Sequence, residues 1–223
     1  VREPDDGHWL WRQDLYGRVR HHLGAGHGLA GNAYPVLRAV GLVDPTVVDA
    51  LLQRCFDTLS ATALQAVTNG PEGGVPVANW QPVTERARIA AALAAGQRPL
   101  VQDCHGAPGI VCRLATAPAS WDALLRAAGE MTWSAGPLVK GASLCHGTAG
   151  SAMACLKLWE RFGEPIWLQR ARQLAMHAAR QVEQARARHG QGRHSLWTGD
   201  LGVACVLWSC VRGAGCFPTL DRC

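Results

Sequence analysis

At 223 residues, 48% apolar and with a net charge of +5, the chain has enough apolar material for one domain with its own core, which excludes a disordered segment. Its arginines, among them Arg170, Arg172, Arg180, Arg186 and Arg188, lack interleaved aromatic residues and read as a solvated helix face, not a nucleic-acid patch. The longest apolar run near the end, "LGVACVLWSCV", is too short to cross a bilayer, and no charged-then-apolar leader opens the chain, so the expectation is a soluble, cytoplasmic protein.

In chain order, the first helix is expected after "GHGLAG" at 26–31. The second runs through "DPTVVDALLQRCFDTL" at 44–59, where Asp44 and Pro45 stand in N-cap and first-turn order. A Gly/Pro-rich loop, "GPEGGVPVANWQP", occupies 70–82. Helices follow "CHGAPG" at 104–109 and "CHGTAG" at 145–150. From Pro165 an amphipathic helix carries Trp167, Ala171, Leu174, Ala178 and Val182 at three- and four-residue steps. The last helix follows "WTGDLG" at 197–202.

Four of these helices begin at glycine pairs spaced three apart, and the motif recurs at intervals of 78, 41 and 52 residues. The two shorter intervals suit a unit of one helix after the glycines and one returning. Segments such as "SAMACLKLW" and "VACVLWSCV" are apolar or small nearly all round and are expected to be buried, whereas the returning helices have one wet face. Inner helices begun by Gly-x-x-Gly turns, with outer helices facing solvent, bring the turns to one end.

That arrangement gathers His27, Cys104, His105, Cys145 and His146, which are far apart in sequence. Asp200 and His194 in the last repeat read as structural. Thiolate and imidazole are preferred zinc ligands, and a helix N-terminus favours the thiolate. Spacing alone leaves open a closed site of two cysteines and two histidines or an open one with three ligands. Nine cysteines, an odd number without a small-scaffold framework, fit reduced thiols better than disulfides.

The ordered motifs "GHGLAGNAY", "CHGAPG", "SLCHGTAG" and "SLWTGDLG", with "FPTLD" at 217–221, resemble the lanthionine synthetase C-like cyclases, especially the bacterial stand-alone members. The resemblance runs from "LWRQDLYG" at 10–17 almost to the end. It implies an all-α fold, an α/α toroid of inner and outer helices, with one zinc at one end. The single domain over 1–223 would then be a partial toroid of about four helical hairpins, the N-terminal part of the full domain missing. An apolar flank would be left open on the helix after "GHGLAG".

Motif by motif, the resemblance implies Cys104, Cys145 and His146 as zinc ligands, His27 as the catalytic histidine and His105 as a site-lining residue. The chain departs from the family pattern where Asp103 stands in place of a tryptophan and where an upstream arginine is offset to Arg98. Asp103 is a candidate partner to a ligand. The family's active-site aspartate falls upstream of the histidine motif, so no residue here takes that role.

The implied reaction is addition of a zinc-activated thiolate to dehydroalanine or dehydrobutyrine, closing a thioether in a peptide. A histidine, titrating near neutral pH as a residue type, suits protonation of the resulting enolate. Alternatives are glutathione addition to dehydrated protein residues, or a zinc-binding module without turnover that docks on a kinase or dehydratase. A glycosidase on the same architecture is disfavoured, because paired carboxylates are absent from the inner helix mouths.

Overall fold

The computed structural model describes residues 2–5, 7–70, 73–82, 91, 94–96 and 99–221. The offset Arg98 lies outside them. The helices are α1 (Leu29–Arg38), α2 (Pro45–Thr62), α3 (Ala107–Leu114), α4 (Asp122–Ser134), α5 (Thr148–Phe162), α6 (Pro165–His189) and α7 (Asp200–Arg212). Inner helices α1, α3, α5 and α7 pack side by side in that order, and α2, α4 and α6 return on the outside. The chain is thus an arc of the expected helical toroid, with its core between the two layers.

Two of the returning helices, α2 and α6, have a local reason to form. The Asp44 carboxylate accepts from the Thr46 N–H at 2.8 Å and caps α2, with Pro45 following. Along α6, Trp167, Ala171, Leu174 and Ala178 are buried, as the stripe predicts, while Arg172, Arg180, Arg186 and Arg188 face solvent. Helix α5 stops at Gly163, whose left-handed conformation lets its N–H bond back to the Trp159 carbonyl.

The Gly-x-x-Gly turns are explained by close backbone approach. In every repeat, a Cβ on either glycine would collide with the carbonyl six residues upstream: Gly28 with His22, Gly109 with Asp103, Gly150 with Leu144, Gly199 with Arg193. The N–H after the first glycine bonds to the carbonyl seven residues back, from Leu29 to His22, Thr148 to Gly141 and Asp200 to Arg193. In the second repeat Asn79 takes over. Its Oδ1 accepts from the Ala107 N–H at 2.8 Å, and its Nδ2 donates to the Leu100 carbonyl at 3.1 Å.

Asn79 arrives on an element that the sequence did not announce. The expected Gly/Pro loop is an antiparallel hairpin of two seven-residue strands. In chain order the strands are β1 (Arg2–Asp5), β2 (His8–Trp11), β3 (Gln13–Leu15), β4 (Arg18–Arg20), β5 (Leu64–Gly70) and β6 (Gly73–Asn79), paired as three two-stranded sheets. Pro76 is tolerated because β6 pairs on one side only, with β5. Directly after the hairpin, buried Trp80 donates its indole N–H to the Leu59 carbonyl at 2.8 Å and ties it to α2.

Two further expectations change. Helix α5 is buried almost all round, but α7 exposes Leu201, Trp208 and Val211, because among the described residues no returning helix covers that side. The open apolar edge therefore lies on α7 and not on α1, where Leu29, Ala30, Ala33 and Leu37 are buried. Seven described cysteines are free thiols, but Cys216, beyond α7, is disulfide-bonded. No helix among the described residues is long and apolar enough to cross a membrane.

Candidate metal centre

A ladder of backbone hydrogen bonds gathers the four turns. The Gly26 N–H donates to the Cys104 carbonyl at 3.1 Å, the Cys104 N–H to the Cys145 carbonyl at 3.2 Å, and the Cys145 N–H to the Trp197 carbonyl at 2.9 Å. These residues hold the same place in their repeats, so each rung joins equivalent residues of neighbouring turns. The side chains of Cys104, Cys145 and His146 converge as a result, with one candidate ligand atom from each lying within 4.8 Å of the others.

The donor set fits zinc. Tetrahedral bonds of ~2.3 Å to sulfur and ~2.0 Å to nitrogen place ligand atoms roughly 3.5 to 3.8 Å apart. The Cys104 Sγ already lies 3.2 Å from the His146 Nδ1, so small side-chain adjustments close the site around an ion. A hydrogen bond from Cys145, helped by His146 and opposed by burial, pulls the Cys104 thiol down to about 6. The same hydrogen bond, joined by burial, pushes the Cys145 thiol up.

Three imidazoles stand beside this cluster. The ring centroids of His27 and His105 are 6.3 Å apart, and His22 lies 6.4 Å from His27 and 5.6 Å from His105. The His22 Nδ1 is 3.2 Å from the Pro82 carbonyl. Burial, reinforced by His22 and His27, lowers His105 to about 4, and its buried Nδ1 finds no hydrogen-bond partner among the described residues. Cys104, Cys145, His146, His27, His105 and Asp103 all line one cavity of about 600 Å³.

Asp103 lies at the site, but its carboxylate does not serve a ligand as the sequence suggested. Its Oδ1 and Oδ2 accept from the two Nη atoms of Arg113, at 3.2 and 3.0 Å, and the side chains are 1% and 5% exposed. Burial raises the Asp103 carboxyl above its ordinary range, and the Arg113 guanidinium pulls against that rise. The guanidinium also stacks on Phe217, 4.5 Å from its centroid. Asp221, four residues on, accepts from the Tyr34 hydroxyl at 2.7 Å and pairs with Lys157 at 2.7 Å. The "FPTLD" segment thus packs against the inner helices beneath the site.

Replacing Arg113 with methionine leaves a buried carboxylate without its partner, and is expected to cost about 3–5 kcal/mol, read from the denaturant midpoint. The double variant Asp103→Leu, Arg113→Met is expected to regain most of that loss.

Sequence reasoning missed His22, Gln102 and Arg113. His22 precedes the first glycine motif by the same step as Gly141 and Arg193 in their repeats, and that equivalence was the available signal. For Arg113, nothing in its local setting marks a buried partner.

Residues 9–215 match the family described as lanthionine synthetase C-like protein. The chain is 32% identical over 168 residues to "Glutathione S-transferase LANCL1" of Danio rerio, covering 72% of this chain and 35% of that protein. It is 35% identical over 118 residues to "LanC-like protein GCL1" of Arabidopsis thaliana, covering 49% of this chain and 27% of that one. The chain therefore spans between about a quarter and a third of the length of these relatives.

Proposed function

Because this chain belongs to the lanthionine synthetase C-like family, we propose that it forms a carbon–sulfur bond by adding a thiol to a dehydroamino acid. The observation that carries this reading is the convergence of Cys104, Cys145 and His146 beside His27 in one cavity. Zinc held by those three residues would leave one coordination position for a substrate thiol and lower that thiol's pKa.

The remaining chemistry falls to the protein. The thiol gives up its proton, its sulfur bonds to the β-carbon of dehydroalanine or dehydrobutyrine, and the former double-bond pair moves toward the α-carbon. His27 delivers a proton there, which completes a saturated thioether with no change in overall oxidation state. His105, whose burial favours the neutral ring, lines the same cavity as His27 and Cys104.

The thiol is the cysteine of the same dehydrated peptide, giving a lanthionine ring. The name of the zebrafish relative favours a second reading in which the thiol is glutathione. Incubating the zinc-loaded protein with a dehydrated peptide, once with an internal cysteine and once with glutathione, tests both by mass and thiol titration. Cyclised peptide without mass change supports the first, and a glutathione adduct supports the second. Zinc binding with neither product reduces the protein to a metal-binding module.

A further inference from the structure

We infer that Gln102 is a positioning residue for the metal centre: its carboxamide aims the Cys104 sulfur and draws electron density from it. The inference rests on the reading of Cys104, Cys145 and His146 as zinc ligands. The Gln102 Nε2 donates to the Cys104 Sγ at 3.2 Å. Gln102 is 5% exposed, so the contact is made where water does not compete for it.

The direction of this bond follows from the atoms. A deprotonated sulfur only accepts, so the NH₂ end of the carboxamide has to face it, since the oxygen end would repel it. The backbone is fixed as well. The Gln102 N–H donates to the His105 carbonyl at 3.1 Å, closing the turn that carries Cys104. The residue equivalent to Gln102 before Cys145 is Ser143, which has no carboxamide, so the two sulfurs sit in different surroundings.

A thiolate that shares its lone pair with an N–H is a weaker donor to a metal and a poorer nucleophile toward an outside electrophile. Outer partners of this kind commonly change metal affinity or activity by about 10- to 100-fold. The geometry therefore gives the Cys104 sulfur a carboxamide donor, and among the described residues no side-chain amide pairs with the Cys145 sulfur.

The test compares iodoacetamide alkylation of Cys104 and Cys145 in the zinc-loaded protein by peptide mass spectrometry. In Gln102→Leu the Cys104 rate is expected to rise roughly tenfold while Cys145 stays within about twofold, a selectivity that a general loosening would not give. A Cys104 rate within about twofold of the parent protein overturns the inference. If that variant fails to fold, the isosteric Gln102→Glu decides in its place. It sets a carboxylate oxygen against the sulfur and is expected to lower zinc affinity roughly 10- to 100-fold at unchanged circular dichroism; an unchanged affinity overturns the inference. Absence of zinc from the parent protein overturns the metal reading itself, and this inference with it.

Discussion

Replacing Cys145 with alanine is expected to abolish stoichiometric zinc uptake, while replacing His105 with alanine leaves most of it. Cys145 offers one of the three donor atoms that lie within 4.8 Å of one another. Removing one of three ligands forfeits about a third of the ~10–16 kcal/mol that thiolate and imidazole zinc sites supply, on the order of 10²- to 10⁴-fold in affinity. The variant tests the side chain cleanly, because both rungs through Cys145 are made by its backbone. Metal content by plasma mass spectrometry and competition with a chromophoric chelator measure the effect. Equal losses from Cys145→Ala and His105→Ala would instead indicate a closed four-ligand site.

His27→Asn is expected to keep zinc at full occupancy and to lose turnover by about 10²- to 10⁴-fold, the usual contribution of a positioned proton donor. His27 lies outside the donor cluster, yet its ring is 6.3 Å from His105 and lines the same cavity as the cysteines. Asparagine retains a polar side chain but cannot carry a proton between solvent and an α-carbon. Metal analysis and thioether formation on one preparation separate the two effects. Ring formation at the parent rate would remove His27 from the chemistry, and parallel loss of metal would move it into the ligand set.

The architecture was legible because its signals are local and repeated. Glycine pairs mark four helix starts, Asp44 and Pro45 mark a fifth, and the stripe from Trp167 to Ala178 identifies a helix with one buried face. The convergence of Cys104, Cys145 and His146 followed from the repeat, since equivalent positions of side-by-side units meet at one end. Long-range pairing was not legible. Asp103 looked like a partner for a neighbouring ligand, but its charge is taken by Arg113 on α3. Nor was the short-range contact of Gln102 with the Cys104 sulfur legible, since it depends on how the turn is folded. The β5–β6 hairpin was hidden by its glycines and Pro76, which normally interrupt strands and are tolerated here because the sheet has two strands only. Helix α7 misled for a related reason. Its composition reports how apolar it is, whereas exposure depends on what packs against it.

The rungs joining the four turns carry glycine, cysteine, cysteine and tryptophan, yet every rung is an amide meeting a carbonyl. The turns can therefore be inherited intact while the side chains upon them are replaced one at a time. A descendant that exchanged both cysteines for alanines would keep its glycines, its rim and its helices, and would still be recognised by those glycines as kin. Kinship certified by the glycines is kinship of scaffold. Within such a lineage, the surviving trade of any one member is written in the few side chains borne on the rungs and beside them, and those are what comparison should weigh first.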